Sequence, residues 1–110
     1  MKTALFLGRF QPPHIGHLLT IKRLSGKYRL IVGVTESEPM MMAQDAIVSY
    51  LQEVLADGAV SVIPVRGSVE GGTAELNMKF DICCSGNPAV LDIIKELGHP
   101  VEYIPRSCDN

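Results

Sequence analysis

The stretch Gly8-Arg9-Phe10-Gln11-Pro12-Pro13-His14-Ile15-Gly16-His17 lies between an apolar run, Ala4 to Leu7, and an amphipathic one that starts at Leu18. Pro12 and Pro13 keep it out of a strand or helix interior, and Gly8 closes the apolar run. Gly16 lets the backbone approach a ligand closely where the next helix begins. The stretch therefore reads as a phosphate-binding turn. Gly8, Gly16 and the helix start offer backbone N–H groups and the positive end of a helix dipole, His14 and His17 can donate to phosphate oxygens, and Arg9 adds charge.

Working outward, residues 3–7 are short, apolar and bounded by Gly8, which predicts a buried strand. Leu18, Ile21 and Leu24 recur at helical spacing up to Ser25 and Gly26. Arg29 to Thr35, rich in branched residues, is a second buried strand, so the chain opens with a parallel strand–helix–strand unit. Glu36 to Met42 has no period and contains Pro39, so it reads as a loop lining the ligand cleft. Ile47, Tyr50, Leu51, Val54 and Leu55 follow the i, i+3, i+4, i+7, i+8 pattern of a helix that closes near Gly58. Val60 to Val65 is a third strand, placed at an edge by Pro64. Gly67 to Gly72 reads as a flexible loop, Thr73 to Lys79 as one or two helical turns, and Phe80 to Cys84 as the fourth strand.

Ser85-Gly86-Asn87-Pro88 repeats the logic of the first turn. Asn87 suits an N-cap, Pro88 the first helical position, and Gly86 gives close backbone access. The helix runs from Pro88 to Leu97 with Val90, Leu91, Ile94 and Leu97 on one stripe; Gly98 stops it, and Val101 to Ile104 is the last strand. Five strands alternating with helices imply an α/β fold, Rossmann-like and three-layered (αβα), with a parallel sheet in the order 3-2-1-4-5. In that order the sheet reverses between the first and fourth strands, and both turns open onto one crevice.

The 110 residues fit one domain, 1–110, able to bury roughly two-thirds of its unfolded surface. Hydrophobic residues make up 46 % and charged residues 20 %, and no apolar run is long enough to span a bilayer or serve as a secretory signal, so no membrane partner and a cytoplasmic location are expected. Cys83 and Cys84 are adjacent in a strand and point to opposite faces, and with Cys108 they match no zinc spacing, so buried thiols are expected and no metal ligands. Residues 1–35 carry six Lys/Arg and no carboxylate, whereas residues 36–110 carry four Lys/Arg and twelve Asp/Glu. The basic third favours an anion. With no Trp, three Tyr and three Phe, a small anionic ligand is expected and no nucleic acid.

No nucleophile stands beside an obvious base. Phosphoryl-type transfer needs none, because positioning and charge stabilisation supply most of the acceleration. His14-Ile15-Gly16-His17 is similar to the H-x-G-H signature of the nucleotidyltransferase superfamily. The longer run from Gly8 to His17, with Ser85 to Pro88 and Gly98 to Val101, resembles the archaeal type of nicotinamide mononucleotide adenylyltransferase. The resemblance implies attack by a mononucleotide phosphate on the α-phosphate of ATP, with Mg²⁺ carried by the nucleotide and pyrophosphate released. It implies catalytic roles for His14 and His17 and nucleotide contacts from Gly8, Arg9, Phe10, Gln11 and Gly16, with the backbone N–H near Phe10 orienting the phosphates. Gly86, Asn87 and Pro88 would frame the base, and a homo-oligomer is implied. The family continues at its C-terminus into a Ser/Thr-x-x-Arg helix start, for which only Arg106 and Ser107 could stand in here. Three outcomes are therefore open: transfer to nicotinamide mononucleotide, transfer of an adenylyl or cytidylyl group to another phosphorylated acceptor such as phosphopantetheine, or nucleotide binding without turnover in a regulatory or binding role.

Overall fold

A computed structural model describes residues 2–8, 10, 15–35, 43–55, 60–67, 76 and 78–104. Its elements are β1 (Thr3–Gly8), α1 (Ile15–Ser25), β2 (Arg29–Thr35), α2 (Gln44–Val54), β3 (Val60–Val65), β4 (Ile82–Ser85), α3 (Pro88–Glu96) and β5 (Val101–Tyr103). All pairings are parallel, in the order β3-β2-β1-β4-β5. β1 is central, with Phe6 opposite Val32 on one side and opposite Cys84 on the other.

Alternation along the strands divides the interior into two cores. On one face Phe6, Val32, Val34 and Cys84 pack with Ile21 and Leu24 of α1 and with Ile47, Val48 and Leu51 of α2. On the other, Leu5, Leu7, Val65 and Cys83 pack with Val90 and Ile94 of α3. Cys83 and Cys84 thus serve opposite cores, as the strand period requires. Burial pushes both thiols up, to about 12 for Cys83 and about 11 for Cys84, which keeps them protonated at neutral pH. Gly33 is closely packed on the second face, where a Cβ would lie 2.9 Å from both Leu7 Cδ2 and Val65 Cγ2.

Three sequence expectations need correction. Tyr50 and Val54 are 43 % and 44 % exposed, and Val48 takes their place, so the buried stripe of α2 centres on Ile47, Val48 and Leu51. Leu97 is the C-cap of α3 and largely exposed, because the helix ends before its stripe returns to the sheet. Between β3 and β4, Leu76, Met78 and Lys79 are not helical; Leu76, Met78 and Phe80 cover the second core without a helix. The Glu36–Met42 loop, residues 68–75 of the loop and turns after Gly67, the helix closure near Gly58, and Cys108 lie outside the described residues.

Pro64 stands opposite Val34 in β3, which is an edge strand as the missing donor demands. Gln52 of α2 donates from Nε2 to the Val62 carbonyl at 3.0 Å. At the other edge, β5 is only three residues long. No helix among the described residues is long and apolar enough to cross a membrane.

Candidate nucleotide site at the switch point

Successive strands leave β1 to one side as β2 and β3 and to the other as β4 and β5, so the sheet reverses between β1 and β4. β1 ends at Gly8 and β4 at Ser85, at the same edge of the sheet. Because every strand is parallel, α1 and α3 both start at that edge; α1 covers one face and α3 the other. Two helix N-termini therefore flank the crevice, each able to offer backbone N–H groups to an anion.

The first turn is built around an aromatic ring. Phe10 has φ 54°, the only positive φ at a non-glycine among the described residues. Such a backbone costs about 1–3 kcal/mol and persists only where its surroundings impose it. Here the ring is 3 % exposed, edge-on to Phe6 at 5.9 Å and to His17 at 4.8 Å, the latter with an interplanar angle of 84°. A fully buried Phe side chain contributes on the order of 1.5–3 kcal/mol, enough to offset the strain. The ring also explains Gly8, where a Cβ would lie 2.8 Å from Phe10 Cζ. Phe10 was expected as a nucleotide contact through its backbone; its side chain is core, which leaves only the main chain for a ligand.

His17 lies in the first turn of α1 and is half-buried, with Gly16 buried beside it. The turn is tied to its neighbour strand by Thr35, whose hydroxyl donates to the Gly8 carbonyl at 3.3 Å. Gln44, the first residue of α2, donates from Nε2 to the carbonyls of Val34 and Val65, each at 2.9 Å, and so clamps the ends of β2 and β3. Nothing in the local pattern marks Gln44; only its place at the helix start, two strands away in space, gives it that reach.

The second turn is built from local hydrogen bonds. Asn87 Oδ1 accepts from the Ala89 N–H at 3.0 Å, Ser85 Oγ accepts from the Asn87 N–H at 3.1 Å, and Pro88 occupies the first helical position. Gly86 is required because a Cβ would approach the Ile104 carbonyl to 3.1 Å, and Ile104 is fixed there by its N–H bond to the Ser85 carbonyl at 2.9 Å. Gly98, at φ 93°, ends α3 with its N–H on the Lys95 carbonyl and the His99 N–H on the Ile94 carbonyl, the paired bonds of a Schellman stop. Gly8, Phe10, Gly16, His17, Gly86, Asn87 and Pro88 thus lie at the strand ends and helix starts of one sheet edge. Arg9, Gln11, His14 and Arg106 lie outside the described residues.

A parallel sheet of this order, with glycine-bearing turns and two helix N-termini at its switch point, is a Rossmann-like fold whose crevice suits nucleotide phosphates. Comparison with known proteins agrees. The cytidylyltransferase-like family model matches residues 5–54, which run from β1 to the end of α2. The nicotinamide-nucleotide adenylyltransferase of Pyrobaculum aerophilum is 31 % identical over 121 residues, covering 96 % of this chain and 68 % of the relative. Nicotinamide-nucleotide adenylyltransferase 1 of Sulfolobus acidocaldarius is 32 % identical over 118 residues, covering 93 % and 67 %, and the enzyme of Methanosarcina acetivorans is 27 % identical, covering 96 % and 68 %. The chain belongs to the nicotinamide-nucleotide adenylyltransferase family. It spans about two thirds of the length of these relatives.

Proposed function

We propose that the chain transfers the adenylyl group of ATP to the phosphate of nicotinamide mononucleotide. An oxygen of the acceptor phosphate attacks the α-phosphorus, the bond from that phosphorus to the bridging oxygen of the β-phosphate breaks, and pyrophosphate leaves with its electron pair. The observation that supports this reading is that β1 ends at Gly8 at the switch point and α1 starts at Ile15 with Gly16 and His17 in its first turn, the kind of strand end and helix start that suits a polyphosphate.

His17, with His14 and Arg9, donates to phosphate oxygens and stabilises charge as it builds on the leaving group. Gly8, Gln11, Gly16 and the Phe10 main chain bring the phosphates against the helix start, Arg106 adds charge from the C-terminal segment, and Gly86, Asn87 and Pro88 frame the base. Among the described residues no cluster of His, Cys, Asp and Glu could hold a metal ion. Mg²⁺ bound to the nucleotide phosphates would supply neutralisation of their charge.

The test is pyrophosphate release from ATP or CTP with a panel of acceptors that includes nicotinamide mononucleotide and phosphopantetheine. Turnover is expected with ATP and nicotinamide mononucleotide and lost in His17→Ala. Turnover only with another pair would replace the acceptor, and binding of MgATP by calorimetry without turnover on any acceptor would overturn transfer altogether.

A further inference from the structure

Among the described residues two aromatic–histidine pairs occur, and they differ in how firmly they are held. Phe80 and His99 lie 4.7 Å apart at a tilted 42° in an open groove with Thr3 and Asp81, at the edge of the sheet opposite the switch point. Phe10 and His17 lie edge to face at 84°, and Phe10 is held on three sides: by Phe6, by the bare face of Gly8, and by its own left-handed backbone. A ring whose surroundings impose a disfavoured main chain and leave no space for a Cβ at Gly8 has little room to move.

We propose that the Phe10 side chain is the positioning residue for His17. The ring is the fixed surface against which the imidazole takes the one orientation it uses on the nucleotide phosphates. This rests on the reading of the Gly8–His17 turn as the triphosphate site. Aromatic pairs favour edge-to-face contact, so the angle of the Phe10 ring selects the plane of the imidazole, and the fixed position of the ring limits χ1 of His17 to one staggered well. Strain at Phe10 thereby becomes order at His17, one turn into α1.

The measurement is the set of three-bond couplings from the backbone ¹⁵N and ¹³C′ of His17 to its Cγ, which report whether χ1 holds one rotamer or averages. Wild-type protein should show one rotamer at His17, Phe10→Met should show averaging, and Ile94→Ala, which destabilises the other core, should leave His17 in one rotamer. Averaging in the wild type overturns the proposal without any variant, as does an unchanged single rotamer in Phe10→Met. On turnover, Phe10→Met should lower kcat about 10- to 100-fold with the KM for ATP little changed, the usual cost of a misplaced group. In a His17→Ala background the same substitution should add nothing further. A full additive effect there overturns action through His17. Undiminished activity in His17→Ala itself would sink the reading of the site, a result that leaves the rotamer measurement untouched.

Discussion

The turns after β1 and β4 face the same task, leaving a strand and entering a helix at the switch point, and they solve it with different forces. The Ser85–Pro88 turn uses ordinary backbone angles and short local hydrogen bonds, Asn87 to Ala89 and Asn87 to Ser85. The Gly8–His17 turn holds a disfavoured backbone in place by burying an aromatic ring between Phe6 and His17. Local bonds can be replaced one at a time, each at modest cost. A strained turn anchored by one ring has no partial form, and it carries the residue assigned to the chemistry.

The largest expected effect that separates the two is His17→Ala: kcat should fall by about 10² to 10³, far more than the modest drop in melting temperature from removing one wall of the Phe10 pocket would produce. Loss of activity in parallel with stability would erase the contrast. Gly8→Ala should be next, because its Cβ meets the buried Phe10 ring; overpacking of this kind costs about 1–3 kcal/mol in urea unfolding and should displace His17, so activity falls with it. Asn87→Ala removes one cap and should cost about 1 kcal/mol in urea unfolding, with Pro88 and the Ser85 bond still in place, and should raise the KM for ATP because Asn87 is proposed to frame the base.

The smallest effect concerns the strut between the two halves. Tyr28, just before β2, donates its hydroxyl to Glu102 of β5 at 2.8 Å. That hydrogen bond, with some burial, pushes the phenol up to about 12 from 10.0. A pKa raised on folding stabilises below pH 10 and loses its contribution as pH rises through about 12. The melting-temperature gap between wild type and Tyr28→Phe should be constant up to pH 10 and close between pH 10 and 12; a gap that widens there would exclude the strut.

Much of the second turn is legible in sequence because its forces are local: Asn87, Pro88 and Gly98 each act within a few residues, and each acts as its type predicts. The same holds for β2 and β3, whose bounds follow from branched residues, and for Pro64, whose lack of a donor places β3 at the edge. The first turn offers the proposed site residues His17 and Gly16 to a reading of the sequence but hides its construction. A phenylalanine in the left-handed region is not signalled by composition, since only the pocket formed by Phe6, Gly8 and His17 makes it stable. Gln44 escapes for the same reason, because its partners Val34 and Val65 are set by sheet order rather than by spacing. Leu97 and Tyr50 mislead in the opposite direction: periodicity marks a stripe, but helix length and tilt decide which of its members reach the sheet.

The edge strands carry a consequence beyond catalysis. An open sheet can grow by adding a neighbour's strand wherever free N–H and C=O groups form a continuous row. β3 interrupts that row with Pro64, which has no hydrogen to give, and with Gln52, which already occupies the Val62 carbonyl. β5 provides three residues, fewer than a stable added strand needs. Among the described residues both margins thus carry features that disfavour strand-by-strand growth, and these features lie outside the residues assigned to the crevice.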